Sequence, residues 1–229
     1  MKFTSTLIKG KLIKRYKRFF VDIKANNKVL TAHCPNTGSM MGLLDKDNEV
    51  WVSKNDDPKR KLKFTLEIIK AGNKMIGVNT HRANRIVEHG IKNNLFREFN
   101  FKDNLKPEFK YSDDTRFDFL NENKLIEVKN VTLIRNNIAQ FPDAITSRGT
   151  KHLIKLSDSI RKKFKPFVLF LTQIEDINYL ICSDLKNINN TKALYSIFTS
   201  ESGTAIDDVI FWKFEDDLIL ICLSLIHIS

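Results

Sequence analysis

Three residues near the middle of the chain, Asp118, Glu127 and Lys129, have the types and spacing of a hydrolytic metal site. Glu127 and Lys129 lie two positions apart in a strand-like segment, so their side chains share one face. If residues 121–124 form a turn, antiparallel pairing sets residue 120 opposite 125 and Asp118 opposite Glu127. Cross-strand Cβ atoms in such a pair are roughly 5 Å apart. The pattern predicts two carboxylates and an ammonium group on one face of a sheet.

Two carboxylates at this separation repel each other unless a cation lies between them. A hard divalent ion with oxygen ligands, Mg²⁺ or Mn²⁺, suits Asp118 and Glu127 as ligands. Lys129 beside the ion would orient a water molecule and stabilise charge developing on a phosphate. The alternative is a solvated strand face on which Glu127 and Lys129 form an ordinary ion pair.

Further polar residues are predicted to lie near this pair. Glu88, on a helix before the sheet, is a candidate additional acid, although we favour a solvated position for it. Arg148 and Lys151, near the start of a later helix, are candidates for phosphate contacts. His152 is a third candidate for such a contact, but for this residue we favour an ordinary place on the helix surface.

A second set of candidates is basic and aromatic and lies in the N-terminal part of the chain. Single strands of nucleic acid bind where aromatic rings stack on bases and cations contact phosphates. Phe19 alternates with Val21 and Ile23 as a core residue would, so Tyr16 is the favoured stacking residue. The candidate nucleic-acid contacts are Arg15, Tyr16, Lys17, Arg18, Lys59, Arg60 and Lys61. For each lysine the alternative is a merely solvated surface.

The charge of the chain is concentrated at one end. The whole chain carries 38 Lys and Arg and 27 Asp and Glu, so its net charge is +11. Residues 1–85 hold 19 basic and 7 acidic residues, a net of +12, whereas residues 86–229 hold 19 and 20, a net of −1. A basic module joined to a nearly neutral one favours a partner that is a polyanion, DNA or alternatively RNA.

Composition excludes several other classes of protein. Hydrophobic residues make up 42% of the chain, which excludes a disordered protein. The three cysteines, Cys34, Cys182 and Cys222, have no CxxC spacing, so we expect a reducing cytoplasm rather than a disulfide framework. No segment has the roughly 20 apolar residues that span a bilayer, and lysines interrupt the N-terminus where a signal peptide would be apolar. We therefore expect no membrane partner.

The first 80 residues have the periodicity of short strands. Strand-like segments lie at residues 19–23, 29–32, 50–52, 64–68 and 75–78, with turn signals at Asn26-Asn27 and Ala71-Gly72-Asn73. Five short strands in this length predict a small closed barrel of the OB type. The polar segment 35–39 after the second strand is either an anion site or a turn with an asparagine side-chain bond to the backbone.

The remainder mixes helices and strands. Asn84 is a candidate cap for a helix through Ile91, and a second helix begins at Thr146 or Ser147. Residues 167–171 form an apolar run that predicts a strand buried on both faces, and residues 209–214 and 218–222 predict a final hairpin. The fold class is therefore α/β with an all-β N-terminal module, divided into residues 1–83 and 84–222.

The last seven residues, 223–229, match the translation of a mosaic-end adapter used in transposon-based sequencing libraries. We therefore expect this tail to be foreign to the protein, and we assign no function to His227. The alternative is a genuine apolar tail.

The arrangement of Asp118, Glu127 and Lys129 resembles the core of PD-(D/E)xK nucleases, where a carboxylate on one strand faces an ExK tripeptide on the next. Several ordered motifs, spread over residues 3–222, also closely resemble the sugar fermentation stimulation protein A family. They are LIKRYKRF (12–19), HCPNTGSM (33–40), DPKRK (57–61), EVKNVTL (127–133), FPDA (141–144) and RGxKHL (148–153).

This resemblance implies a cytoplasmic bacterial or archaeal protein with an OB-like barrel and a PD-(D/E)xK nuclease-like α/β domain. It also implies non-specific DNA binding and a link to the regulation of sugar (maltose) metabolism. The alternative function is a Mg²⁺- or Mn²⁺-dependent nuclease that acts on DNA or RNA through Asp118, Glu127 and Lys129. A sequence-specific transcription factor is a weaker third hypothesis, because the chain has no helix-turn-helix signature.

Overall fold

A computed structural model of the chain describes residues 3, 5–136, 138–143, 147–175, 180–182, 204–206, 209–213 and 219–224. Five strands near the N-terminus close into a barrel. They are β1 (Ile8–Tyr16), β2 (Phe20–Ala25), β3 (Lys28–His33), β4 (Glu49–Lys54) and β5 (Phe64–Ala71). Their order is β3-β2-β1-β4-β5, and a parallel pairing of β3 with β5 closes the ring. The predicted barrel is therefore confirmed.

The interior of the barrel follows from strand alternation. Leu12, Val21, Ile23, Val50 and Leu66 point inward and are completely buried, while their neighbours in the sequence are polar or partly exposed. The predicted turn at residues 26–27 joins β2 to β3. Both asparagines have positive φ, 49° and 58°, which a two-residue hairpin turn requires and asparagine tolerates.

Two details of the barrel differ from the sequence-based prediction. The alternation of apolar and polar residues does not predict β1, because this strand is rich in lysine. Only two of its residues, Gly10 and Leu12, are fully buried. The predicted strand at residues 75–78 is β6 (Lys74–Gly77), which extends the sheet beyond β5 and lies outside the closed ring.

Phe19 is not a core residue. Its ring is 47% exposed, because Lys17 and Arg18 have positive φ and turn the chain before β2 begins at Phe20. Strand β2 therefore begins one residue after Phe19, and its inward-facing residues include Val21 and Ile23 but not Phe19. This turn carries two cations and an exposed aromatic ring.

The first helix, α1 (Thr80–Lys92), begins earlier than predicted. Asn79 is its N-cap and accepts a hydrogen bond from the backbone N–H of His81 at 3.1 Å. The predicted cap, Asn84, therefore lies inside the helix, and the predicted domain boundary at residues 83–84 falls within α1. The division of the chain into two domains stays a prediction.

The described residues after α1 form two sheets with helices beside them. The strands of these sheets are β7 (Lys106–Ser112), β8 (Thr115–Asn121), β9 (Lys124–Val131), β10 (Leu133–Arg135), β11 (Ile138–Phe141), β12 (Lys165–Thr172), β13 (Leu180–Cys182), β14 (Thr204–Ile206), β15 (Val209–Lys213) and β16 (Ile219–Ser224). The second helix is α2 (Ser147–Ser159), and short 3₁₀ turns occupy Arg97–Phe99 and Ile160–Lys162. The main sheet has the order β14-β15-β16-β12-β9-β8-β7, and β10, β11 and β13 form a small second sheet.

Strand β12 is the centre of the main sheet. It pairs in parallel with β9 and β16, and every residue from Pro166 to Thr172 is buried, as the apolar run predicts. The final hairpin, β15 with β16, is also confirmed. Leu223 and Ser224, which begin the tail predicted to be foreign, belong to β16, and residues 225–229 lie outside the described residues.

Helix α1 covers one face of this sheet. Ala83, Val87 and Ile91 of α1 pack with residues of β8, β9 and β12 in one hydrophobic cluster. A second, larger cluster lies on the opposite face of the sheet and includes the core of the barrel. Leu156 of α2 belongs to the larger cluster. Two helices from different parts of the chain thus approach the strands that carry Asp118 and Glu127.

Candidate active site

Asp118 lies one residue beyond the end of the pairing between β8 and β9. The ladder to β9 runs from Asn121↔Lys124 through Leu120↔Leu125, as predicted, and ends at Phe119↔Ile126. The ladder to β7 passes from Pro107↔Phe119 to Phe109↔Phe117. Asp118 is therefore not paired with Glu127 in a regular ladder, in contrast to the simple hairpin that the spacing predicts.

The Asp118 carboxylate occupies the gap that the interrupted ladder leaves. Its Oδ2 accepts the backbone N–H of Val128 at 2.6 Å, and its Oδ1 accepts a hydrogen bond from Nδ2 of Asn84 at 2.8 Å. Both partners hold the carboxylate in one orientation. The pKa of Asp118 is nevertheless raised to about 6, first by burial and then by the negative charge of Glu127.

Glu127 is 4% exposed and is held by two donors at the same oxygen. Its Oε1 lies 2.5 Å from Nζ of Lys129 and 2.7 Å from Nδ1 of His152. Because an ionised carboxylate only accepts hydrogen bonds, Nδ1 of His152 carries the proton. No described residue donates to Oε2, so this oxygen remains available to a ligand.

The environments of the two carboxylates move their pKa values apart. Burial alone would raise the pKa of Glu127, but the hydrogen bond from His152 and the charge of Lys129 outweigh burial and lower it. Glu127 is therefore ionised near neutral pH, while Asp118 changes its protonation state near pH 6. Pairs of acids with divergent pKa values are characteristic of functional sites.

The structure assigns to His152 and Asn84 contacts that the sequence does not predict. His152 is 8% exposed and contacts Glu127, so the preference for a helix-surface position is wrong. Asn84 is interpreted from the sequence as a helix cap, yet it donates to Asp118 from the second turn of α1. The RGxKHL motif is a signal for His152, whereas the sequence offers no comparable signal for Asn84.

The other residues predicted to surround the pair lie at the surface. Glu88 forms an ion pair with Lys92 at 2.7 Å along α1, consistent with the solvated position that we favour. Lys151 pairs with Asp114 at 2.8 Å, and Arg148 is exposed at the start of α2. Contact of Arg148 or Lys151 with a phosphate remains a prediction.

Arg15 differs from its basic neighbours, because its guanidinium group binds the protein itself. It donates to the carbonyl oxygens of Asn36 at 2.7 Å, Gly38 at 3.0 Å and Arg18 at 3.1 Å. Arg15 pairs with the inward-facing Val21, so its side chain closes the end of the barrel and fixes the following loop. Asn36 Oδ1 also accepts a hydrogen bond from the N–H of Gly38 at 2.8 Å. This bond forms the asparagine turn that is one of the two alternatives predicted for residues 35–39.

The remaining predicted nucleic-acid contacts surround the same end of the barrel. Lys17 and Arg18 are exposed in the β1–β2 turn, and Tyr16 stacks on Phe20 with ring centroids 5.4 Å apart. Residues 59–61 belong to the loop between β4 and β5, where Lys59 and Lys61 are exposed and Arg60 donates to Thr65 Oγ1 at 3.2 Å.

The carboxylate pair suits a hard divalent cation better than a softer metal. Among the described residues, no group of three or more His, Cys, Asp and Glu side chains could hold a metal ion by itself. Asp118 and Glu127 are two oxygen donors, and Mg²⁺ typically takes one or two carboxylates together with waters and a substrate phosphate. The donor set therefore fits Mg²⁺ or Mn²⁺ with the remaining positions open.

The chain thus combines a closed five-stranded barrel with an α/β domain that carries a buried carboxylate–lysine site. The profile of the SfsA N-terminal OB domain matches residues 13–78, and that of the sugar fermentation stimulation protein RE domain matches residues 81–197. The chain belongs to the sugar fermentation stimulation protein family. No helix among the described residues is long and apolar enough to cross a membrane.

Relatives of this family match the chain over most of its length. A sugar fermentation stimulation protein homolog from Pelagibacter ubique is 57% identical over 191 residues, which cover 81% of this chain and 82% of the relative. A homolog from Maricaulis maris is 38% identical over 222 residues, which cover 94% and 92%. The structure of Pyrococcus furiosus SfsA in complex with Ca²⁺ superposes with a TM-score of 0.77 at 16% identity, covering 98% of this chain and 90% of that one. This likeness establishes the shared fold.

Proposed function

We propose that this protein binds DNA non-specifically in the cytoplasm, through the basic end of its barrel. The observation that supports this proposal is the strand pairing that gathers the exposed cations. Phe20 of β2 pairs with His33 of β3, and His33 pairs with Thr65 of β5. Because adjacent strands are about 4.8 Å apart, the β1–β2 turn and the β4–β5 loop emerge at the same end of the barrel.

Helix α1 connects this basic end to the carboxylate pair. His81, in its first turn, lies near His33 of the barrel, with ring centroids 6.4 Å apart. Asn84, which binds Asp118, lies three residues further along the helix and therefore about 4.5 Å along its axis. A polynucleotide held by the barrel would thus pass close to the carboxylate pair.

The proposal is tested by the salt dependence of binding to a labelled DNA oligonucleotide. If phosphate contacts dominate, log K falls linearly with log salt concentration, with a slope of about −0.9 per contact on duplex DNA. We expect a steep slope and little dependence on sequence. An affinity independent of ionic strength, or no binding at low salt, contradicts the proposal. The same titrations with RNA and with single-stranded DNA of equal length test the alternative partners.

A second candidate function, Mg²⁺- or Mn²⁺-dependent cleavage of DNA or RNA, is favoured by the intact carboxylate–lysine site. Asp118 and Glu127 would hold the ion, which supplies Lewis-acid polarisation of a phosphate and of a bound water. His152 and Lys129 keep Glu127 ionised and fixed through Oε1. The Lys129 ammonium group would stabilise negative charge that develops on the phosphate.

Cleavage is tested by incubating labelled DNA and RNA with the purified protein and Mg²⁺ or Mn²⁺, with EDTA as control. We expect products that require the metal and that form roughly 10²-fold or more slowly with the Lys129→Ala variant. Binding without metal-dependent products would leave the first proposal standing and remove the second.

The name of the relatives refers to stimulation of sugar fermentation. We propose that non-specific DNA binding is the property through which this protein contributes to the regulation of sugar (maltose) metabolism. Footprinting tests the form of that contribution. We expect broad protection of DNA, and one uniquely protected operator would instead support the hypothesis of a sequence-specific transcription factor.

A further inference from the structure

Three side chains that carry, or can take up, positive charge meet at the basic end of the barrel. His33 ends β3, Arg60 lies in the β4–β5 loop, and His81 lies in the first turn of α1. The two imidazole rings are 6.4 Å apart between centroids. Arg60 donates a hydrogen bond to the hydroxyl group of Thr65, and Thr65 of β5 pairs with His33 of β3. These three residues are called the histidine–arginine cluster below.

Among the described residues, no carboxylate is bonded to a side chain of the cluster, and the carboxylate of Asp57 in the β4–β5 loop accepts the backbone N–H of Lys59. Neither imidazole makes a side-chain hydrogen bond to any residue that the structure describes. Two carboxylates lie on the same outer face of β2 and β5, Asp22 and Glu67, and both already accept hydrogen bonds from other residues. These donors are Tyr16 and Thr31 for Asp22, and Ser53, Asn79 and Arg82 for Glu67. Two further charges near these carboxylates and imidazoles are positive, Lys14 above the Tyr16 ring and Arg85 one turn along α1 from His81.

Within the cluster, His33 is affected by burial and by the charge of its neighbours. The pKa of His33 is lowered, first by burial and then by the nearby His81 and Arg60. A bound anion would offset this repulsion, as a divalent cation would between Asp118 and Glu127. The cluster faces outward, with His81 exposed and His33 and Arg60 half-buried, so an anion can reach it from solvent.

We propose that His33, His81 and Arg60 form a subsite for one phosphate group of a nucleic-acid backbone, and that binding tightens as His33 becomes protonated. This inference rests on the proposed DNA binding and adds a location and a pH dependence to it. Arg60 contributes a permanent charge with several N–H donors, which suits a phosphate oxygen pair. The first turn of α1 adds the positive end of a helix dipole.

The direction of the pH effect follows from linkage. If the phosphate raises the pKa of His33, protonation and phosphate binding favour each other by the same factor. The added affinity is therefore present at low pH and is lost as the pH rises through the pKa of His33 in the complex. We expect the dissociation constant for DNA to increase about tenfold between about pH 6 and pH 8 at constant ionic strength.

Two measurements test the subsite. NMR of the imidazole C–H protons follows the pKa of His33 with and without inorganic phosphate, and with and without a short DNA duplex. Fluorescence anisotropy with the same duplex gives the dissociation constant over the pH range for the wild type, for the double variant His33→Gln/His81→Gln and for Arg60→Gln. His89→Gln is the matched control, because His89 lies on the exposed surface at the other end of α1.

We expect both phosphate and DNA to raise the pKa of His33. The double variant should lose most of the pH dependence of DNA binding, Arg60→Gln should weaken binding at every pH, and His89→Gln should behave like the wild type. Equal pH dependence in the wild type and the double variant overturns the proposal, as does a His33 pKa that responds to neither ligand. DNA binding that leaves His33 unaffected removes the subsite but keeps the proposed function. A response to phosphate without any DNA binding removes the proposed function and keeps an anion site.

Discussion

The carboxylate pair and the histidine–arginine cluster each bring together side chains that can carry charge of one sign, and they differ in what surrounds them. Asp118 and Glu127 are buried, and the protein supplies them with an ammonium group, an imidazole, an amide and a backbone N–H. His33, His81 and Arg60 face solvent, and no carboxylate is bonded to either imidazole among the described residues.

This difference indicates which contacts the protein provides and which it leaves to a ligand. The buried site is pre-organised, because described residues donate hydrogen bonds to both oxygens of Asp118 and to Oε1 of Glu127. A catalytic centre needs such fixed geometry. The outer cluster has a permanent charge on Arg60 and two imidazoles that make no side-chain hydrogen bond among the described residues, which suits a surface that binds a flexible polyanion by charge rather than by shape.

The largest expected effect concerns the carboxylate pair and its metal. If Asp118 and Glu127 hold a cation, Mn²⁺ should raise the melting temperature of the wild type, because a ligand that binds only the native state stabilises it. Asp118→Ala and Glu127→Ala should abolish this shift and any cleavage. Lys129→Ala should keep the shift and reduce cleavage by roughly 10²-fold or more, because lysine stabilises charge without binding the ion.

Thermal melts with and without Mn²⁺, combined with cleavage assays, measure both effects. The matched control is Glu88→Ala, which removes an exposed carboxylate of α1 that is paired with Lys92. No metal-dependent shift at millimolar Mn²⁺ would contradict the proposed metal site and leave the proposal of DNA binding untouched.

The second prediction concerns a balanced pair of charges beneath α1. Glu67 is 3% exposed and accepts two hydrogen bonds from Arg82, so that β5 of the barrel is tied to the helix that reaches both charged sites. Arg82→Ala leaves a buried carboxylate without its cation and should cost roughly 3–5 kcal/mol of unfolding free energy.

Arg85→Ala removes an exposed arginine three residues further along the same helix and is the matched control, with an expected cost of less than about 0.5 kcal/mol. Urea denaturation of the two variants compares them. Equal losses would show that the ion pair does not tie the helix to the barrel.

The third prediction uses the pKa of Asp118, about 6, against an ordinary value of 3.8. Because the folded state binds this proton more tightly than the unfolded state, the contribution of Asp118 to stability is full below pH 3.8 and is lost as the pH rises through about 6. In EDTA, Asp118→Asn should therefore be more stable than the wild type near neutral pH by about 2 kcal/mol, an advantage that shrinks toward pH 4.

Urea denaturation of the two proteins across this pH range measures the effect. Adding Mn²⁺ should reverse the order of stability, because only the wild type keeps both carboxylate ligands. A variant whose stability runs parallel to the wild type at all pH values would contradict the raised pKa.

The smallest expected effect on folding separates Arg15 from its neighbours. Lys17→Ala with Arg18→Ala should leave unfolding free energy within about 0.5 kcal/mol of wild type, yet lower the salt slope of DNA binding by about one per lost phosphate contact. Arg15→Ala should cost roughly 1–3 kcal/mol, because it removes charged hydrogen bonds to three carbonyls. Melting curves and salt titrations of the variants make the comparison. An unchanged slope in the double variant would move the binding surface elsewhere, with residues 59–61 the next candidates.

Local patterns in the sequence were sufficient for much of the fold. The alternation at Val21 and Ile23, the asparagine turn at residues 26–27 and the apolar run 167–171 predict elements that the structure contains. These features depend on neighbours in the chain, because strand periodicity and turn conformation are properties of short segments. The pairing of Glu127 with Lys129 is likewise local, since two residues apart on a strand share a face.

Tertiary structure alone decided which polar groups meet. His152 reaches Glu127 across 25 positions, and Asn84 reaches Asp118 across 34. Arg15 has the same charge as Arg18, but the strand directs it into the end of the barrel, where carbonyls take its hydrogen bonds. Sequence patterns rank residues by type and by local spacing. Contacts between distant elements depend on how helices and sheets pack. This packing determines whether a positively charged side chain bonds to the protein itself or remains exposed to a ligand.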